Sequence, residues 1–107
     1  MWLNVASLED LKEKKMLRVE HEGIAFLLTF YEGKVYAMND KCPHMGSSLV
    51  KGSLEKGVVT CASHHVQIDI TNGEIVEKAK ILLFRVPVKK AQTYPTKIEG
   101  KKVFIEL

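Results

Sequence analysis

Two short segments of this sequence hold the residues best suited to bind a metal. The first contains Cys42 and His44, and the second contains Cys61 and His64, in the pattern Cys-x-His-x16-Cys-x2-His. Each segment supplies one thiol and one imidazole, and two such loops can meet around one metal centre. Sulfur ligands favour zinc, copper(I) or an iron-sulfur centre. We therefore predict a metal site on these four side chains.

The way in which the ligands are paired separates the candidate metals. Zinc fingers usually place two cysteines in one knuckle and two histidines in another. Here each loop supplies one cysteine and one histidine. A mixed pair suits an asymmetric two-iron centre with both thiolates on one iron and both imidazoles on the other, which is the Rieske arrangement. A structural zinc site, or another non-redox binding module on the same ligands, stays open as the alternative.

The cysteine count limits the chemistry further. With only two cysteines in the chain, four cysteine ligands are excluded. A disulfide between Cys42 and Cys61 is conceivable, but the first residues lack the basic start, apolar stretch and cleavage site of a secretory signal. Thiols stay reduced in the cytoplasm, where we therefore expect this protein. Metal ligation is the favoured interpretation of both cysteines.

Length and composition indicate one globular domain over residues 1–107. Hydrophobic residues make up 46% and charged residues 27%, close to globular averages. The longest apolar stretch, Ile24 to Leu28, is far shorter than the roughly 20 residues of a membrane helix. The net charge of +3 comes from lysines interleaved with acids, without a basic stripe that alternates with aromatics. We predict neither a membrane nor a nucleic-acid partner.

Two hairpins are predicted to frame the site. The first runs from Ile24 to Asn39, with two apolar strands joined through Glu32-Gly33. The second runs from Pro95 to Leu107, with Gly100 at its turn. The last strand alternates apolar and polar residues, which predicts that one face points to the core. The residues on that face are Val103, Ile105 and Leu107.

The second ligand pair is predicted to lie in a loop between short strands. Val58 to Cys61 and Val66 to Ile70 read as strands, and Asn72-Gly73 is a strong turn signal. Only Ser7 to Lys15 indicates a helical turn, which Ser7 can cap. The chain is therefore predicted to be all-β and antiparallel with little helix. Residues 40–70, rich in Cys, His and Gly, read as a site-bearing insert.

Several segments resemble the Rieske ferredoxin family, over nearly the whole chain. The box Cys42 to Gly46 followed by Leu49, the strand Gly57 to Thr60 before Cys61, and the end Tyr94 to Gly100 are all similar to it. The resemblance implies a Rieske-like antiparallel β-sandwich or barrel with a small cluster-binding subdomain. It also implies one [2Fe-2S] cluster per chain.

The family pattern assigns a role to each ligand. By resemblance, Cys42 and Cys61 bind the inner iron, while His44 and His64 bind the outer iron near the surface. The protein would then be an electron carrier without an enzymatic activity of its own. It would accept single electrons from a reductase and pass them to a terminal enzyme, which we expect to be an oxygenase of the ring-hydroxylating or di-iron type. A small Rieske subunit of a larger reductase is the alternative.

The resemblance also implies a low reduction potential. High-potential Rieske proteins carry a disulfide between two further cysteines, whose places are taken here by Ser47 and Ser63. A serine that donates toward the cluster in those proteins corresponds to Val66, which has no side-chain donor. Fewer donors stabilise less negative charge on reduction, so the potential is expected to be ferredoxin-like.

The second box departs from the usual family pattern Cys-Pro-x-His-Gly. Ala62 replaces the proline and His65 replaces the glycine, so His65 must accept an unusual backbone or lie in a different loop. His65 is also an alternative ligand to His64. We interpret His21 as a solvated residue of a charged edge strand and leave it out of the site. No loop covering the cluster is assigned around Pro87, which an edge strand explains equally well.

Overall fold

The protein is built mainly from antiparallel strands, as predicted. The computed structural model describes residues 1–42, 48–63, 65–77, 79–81, 84–86 and 90–107, with residues 77, 79–81 and 84–86 described as backbone only. The helical elements are α1 (Leu8–Lys14) and a 3-10 turn (Leu49–Lys51). The strands are β1 (Trp2–Ser7), β2 (Met16–His21), β3 (Ile24–Tyr31), β4 (Lys34–Asn39), β5 (Ser53–Glu55), β6 (Val58–Thr60), β7 (Gln67–Asp69), β8 (Ile75–Glu77), β9 (Ala79–Ile81), β10 (Phe84–Val86), β11 (Thr93–Tyr94), β12 (Thr96–Glu99) and β13 (Lys102–Glu106).

A four-stranded sheet in the order β11-β4-β3-β2 forms the middle of the fold. Successive side chains of a strand point to opposite faces, and β3 buries both of its faces. Phe26 and Leu28 pack into one core cluster, whereas Leu27 packs into the other. The apolar stretch in β3 is therefore a strand with core on both sides, which explains why it does not alternate with polar residues.

Tight turns hold the neighbouring hairpins. The predicted Glu32-Gly33 turn is confirmed, with Tyr31 pairing to Lys34 and positive φ angles of 49° and 79° at the two turn residues. The same two-residue geometry joins β2 to β3 and β5 to β6. Positive φ at both central positions matches the right-handed twist of the strands, so these turns fix the register of the ladders.

One core cluster lies between the middle sheet and the sheet β1-β13-β12. The helix α1 contributes Leu11 to this core, and Ser7 caps the helix by accepting a hydrogen bond from the Asp10 N–H at 3.2 Å. Val103 and Ile105 of β13 are buried here, as predicted. Leu107 is 44% exposed because β13 ends one residue earlier, so its predicted inward position is wrong.

The other core cluster carries the two cysteines. It lies between the middle sheet and a sheet in the order β5-β6-β7-β8, where β6 and β7 are the two strands predicted on either side of the second loop. Cys42 and Cys61 pack in it with Leu49, Val59 and Ile68. The site is therefore supported by a small sheet of its own on one side and by β3 and β4 on the other.

Several elements were not predicted. These are the strand β1, which pairs with β13, the three-residue strands β5 and β8 at the two edges of the site sheet, and β9. The partner of β9 is β10, which lies in the segment before Pro87 where the sequence allowed an edge strand. Pro87 lies outside the described residues, as does the rest of 87–89. Within the described ranges, none of the helices has the length and apolar character needed to cross a membrane.

Candidate metal centre

The structure brings the two cysteines into one buried cluster. Cys42 follows β4 and is 2% exposed, and Cys61 follows β6 and is fully buried. No disulfide joins them, so the disulfide interpretation is not supported. The predicted ligands His44 and His64 lie outside the described residues, together with Pro43 and 45–47.

The first loop is anchored by Asp40, two residues before Cys42. One carboxylate oxygen of Asp40 accepts a hydrogen bond from the Val50 N–H at 2.8 Å, and the other accepts one from the Ser48 hydroxyl. The second oxygen also lies 3.1 Å from Nε of Arg18 in β2. The backbone N–H of Asp40 donates to the Ala25 carbonyl at 2.9 Å. Both ends of the loop are thereby fixed to the sheet.

The ion pair around Asp40 extends to a third charge. Arg18 also lies 2.6 Å from the Glu20 carboxylate on the same strand. The hydrogen bond with Glu20 raises the pKa of Arg18 most, and the charge of Asp40 raises it further, although burial acts in the opposite direction. The guanidinium therefore keeps its charge, which offsets the cost of a buried carboxylate.

The second loop is closed by a backbone hydrogen bond. The Cys61 N–H donates to the Val66 carbonyl at 2.8 Å, which closes the base of the loop between β6 and β7. His65 has a φ of 57° and is exposed. His65 has therefore adopted the left-handed backbone that a glycine adopts freely. Of the two possibilities that the sequence allowed, an unusual backbone at His65 or a different loop, the structure shows the first.

A close backbone contact joins the segment after the first loop to the strand before the second loop. A Cβ atom on Gly52, which follows the 3-10 turn, would lie 1.9 Å from the carbonyl oxygen of Thr60. Only glycine fits at this distance, because no real contact of a Cβ atom is so short. Thr60 immediately precedes Cys61, and Leu49 in the 3-10 turn is fully buried beside the cysteines. Gly52 therefore allows the segment after the first loop to approach the strand that leads to Cys61.

The two cysteine thiols fit one half of the ligand set of an iron-sulfur centre. Two unbridged cysteine thiols, one from each loop, supply the soft ligands of such a centre. Among the residues that the structure describes, no group of three or more His, Cys, Asp and Glu side chains could hold a metal ion. The predicted ligands His44 and His64 lie outside that set.

Two supporting residues were missed at the sequence level. Asp40 carried a signal, because it is a charged residue directly after an apolar strand and two positions before a cysteine. Gly52 carried none, because its requirement comes from Thr60 on a different strand. His21 lies in the edge strand β2, as expected, 3.9 Å from the Glu22 carboxylate.

Comparison with known proteins gives consistent matches over the full chain. A family model, the Rieske [2Fe-2S] domain, matches residues 1–103. The ferredoxin component of the naphthalene 1,2-dioxygenase system of Pseudomonas aeruginosa is 30% identical over 99% of this chain and 95% of its own length. The ferredoxin component of the alkene monooxygenase system of Xanthobacter autotrophicus is 31% identical over 97% of this chain and 80% of its own length.

A solved structure gives the same result for the fold. The ferredoxin of Sphingomonas yanoikuyae B1 superposes with a TM-score of 0.78, covering 100% of this chain and 99% of its own, at 24% identity. The predicted all-β class with antiparallel sheets is confirmed by this likeness.

Proposed function

Because this chain belongs to the Rieske [2Fe-2S] domain family, we propose that it is a ferredoxin that carries single electrons from a reductase to a terminal oxygenase. The observation that carries the proposal is the alignment with ferredoxin components of oxygenase systems, over at least 97% of this chain and at least 80% of each relative. A bound [2Fe-2S] cluster supplies a site that stores one electron reversibly. The chain itself needs no catalytic residue for this function.

We propose that four residues hold the cluster. Cys42 and Cys61 would bind one iron, and His44 and His64 would bind the other. The burial of both cysteines supports this assignment, since a buried thiolate pair keeps water from the sulfur side of the site. The exposure of His65, next to His64, supports a histidine side that faces solvent and a partner protein.

Hydrogen bonds at the bases of the two loops support this assignment. The hydrogen bond from Cys61 to Val66 holds the second loop closed, and Asp40 holds the ends of the first. Val66 is fully buried and brings only an apolar side chain to the site, which supports the low potential expected from the sequence.

The partners and setting follow from the same family. The two curated relatives serve a dioxygenase and a monooxygenase system. We therefore propose an oxygenase as electron acceptor and a reductase as electron donor. We also propose that residues 1–107 act as one Rieske domain, with the cluster-binding insert at about residues 40–70. We also propose a cytoplasmic location, where thiols stay reduced, because no disulfide joins Cys42 and Cys61.

An anaerobic reductive titration with metal and sulfide analysis tests the function. A Rieske ferredoxin takes up about one electron per chain, reversibly, and contains about two iron and two sulfide ions. A colourless protein with stoichiometric zinc and without sulfide would instead establish the structural zinc module and rule out electron transfer.

A further inference from the structure

We propose that Asp40 is a positioning residue that closes the first metal-binding loop and holds Cys42 ready for the cluster. The inference rests on the proposed function, because the loop matters only if Cys42 is a ligand. Asp40 is not itself proposed as a ligand. Its side chain is fully buried and its oxygens are occupied by partners within the chain.

The partners of Asp40 lie on both sides of the loop that contains Cys42. Asp40 precedes residues 41–47, while Ser48 and Val50 follow them. The carboxylate joins the two ends directly, by the Val50 N–H at 2.8 Å and by the Ser48 hydroxyl. The loop is therefore tied at its base by one side chain, independently of any metal.

Asp40 also fixes the loop base to the middle sheet, through its carboxylate and through its backbone N–H. Arg18 on β2 lies 3.1 Å from the second oxygen, and the Ala25 carbonyl on β3 accepts from the Asp40 N–H at 2.9 Å. A buried carboxylate is tolerated only when it is paired and hydrogen-bonded, which explains why so many donors converge on it. The charge on Arg18 makes these bonds stronger than neutral ones.

A loop tied in this way has fewer conformations open to it. Ordering a flexible loop costs conformational entropy, and a side chain that already holds the two ends removes part of that cost from metal binding. Groups that orient metal ligands without touching the metal change metal affinity about 10–100-fold when they are removed. Asp40 is placed to act in this way on Cys42.

Asp69 provides a matched control in the same protein. Its carboxylate also accepts from a backbone N–H, that of Thr71 at 2.8 Å, and from a hydroxyl, that of Thr71 at 2.6 Å. These bonds stay within the turn that follows β7. An Asp69→Asn variant therefore loses the same type of bond at a place that does not close the first loop.

The experiment compares Asp40→Asn with Asp69→Asn in the protein as purified with its iron. The measurements are the rate of iron release to a chelator, the EPR line shape after reduction, and hydrogen exchange of the Val50 amide. Asn keeps the size of the side chain but removes the charge and one set of acceptor lone pairs. A Ser48→Ala variant removes one bond and leaves the Arg18 pair, which keeps the test usable if Asp40→Asn folds poorly.

We expect Asp40→Asn to release iron about tenfold faster than Asp69→Asn, with a broadened EPR signal and faster exchange at Val50. Ser48→Ala should show a smaller change in the same direction. Equal release rates, equal line shapes and equal exchange in the Asp40 and Asp69 variants would overturn the proposal. If the proposed function is wrong, the wild-type protein will lack a Rieske EPR signal. The comparison of Val50 amide exchange between the two variants then still decides whether Asp40 closes the loop.

Discussion

The Cys61 N–H and the Val66 carbonyl are joined by a hydrogen bond of 2.8 Å, which closes the second metal-binding loop. Both residues are fully buried, so this bond is shielded from competition with water. Among the residues between them, His65 has a left-handed backbone with a φ of 57°. The strain in this loop therefore lies at a residue next to a proposed ligand.

Replacing His65 by glycine should stabilise the protein. A non-glycine residue in the left-handed region costs roughly 1–2 kcal/mol, partly offset by the greater entropy that glycine has in the unfolded chain. We expect His65→Gly to raise the free energy of unfolding by about 0.5–1 kcal/mol, measured in guanidinium chloride on the iron-loaded protein.

Ala62 in the same loop is the control for that measurement. It is exposed and is not among the residues with positive φ. Ala62→Gly should therefore destabilise by about 0.5–1 kcal/mol, opposite in sign to the change at His65. A loss of stability in His65→Gly equal to that in Ala62→Gly would show that the left-handed backbone is not strained.

The contact between Gly52 and Thr60 predicts a severe effect of one methyl group. Gly52→Ala would place a Cβ atom 1.9 Å from a backbone oxygen, so the strand before Cys61 must move. We expect a loss of about 3 kcal/mol or more in unfolding free energy, or failure to fold.

Gly23→Ala is the control, because Gly23 has a φ of 81° but no atom within 4 Å of the added carbon. Backbone strain alone should cost that variant roughly 1–2 kcal/mol. Equal losses in the two variants would contradict the steric account.

Ligand substitutions test the assignment of the histidines. His44→Cys and His64→Cys each add a thiolate, so each should change the EPR spectrum and lower the reduction potential. His21→Ala and His65→Ala remove imidazoles that we do not assign to the cluster and should leave the spectrum unchanged. If His65→Ala alters the spectrum and His64→Cys does not, His65 is the ligand in place of His64.

Tyr31 gives a prediction for alkaline pH. A hydrogen bond with Glu32 raises the pKa of Tyr31 most, and burial and nearby charge act in the same direction. The folded chain therefore favours the protonated phenol. This contribution to the free energy of unfolding is fully present below about pH 10 and is lost as the pH rises through the raised pKa of Tyr31. A difference titration of phenolate absorbance against Tyr31→Phe should show ionisation above the ordinary value. Glu32→Gln should lower it, and an unchanged midpoint in that variant would contradict the hydrogen bond.

Local signals in the sequence predicted the local parts of the fold. The Glu32-Gly33 turn and the Ser7 cap each depend on a few neighbouring residues, and both are confirmed. The pairing of β1 with β13 joins Trp2 to Glu106, so no local pattern shows it. Strands of three residues such as β5 are too short to display a periodicity.

The sequence predicted the cysteines of the candidate site but not the contacts that hold its loops in place. Spacing alone indicated Cys42 and Cys61, which the structure brings into one buried cluster. The role of Asp40 depends on Arg18, which lies on a strand far away in sequence, and on donors beyond the loop. A single sequence does not show which distant residues will meet. The ligand roles of His44 and His64 stay predictions.

The most direct test of the electron-carrier account is EPR spectroscopy of the dithionite-reduced protein, purified without oxygen and analysed for iron, sulfide and zinc. A Rieske centre predicts a rhombic signal with an average g value below that of all-cysteine clusters, at about two irons per chain. An EPR-silent protein with stoichiometric zinc, or a signal typical of four cysteine ligands, would contradict the account.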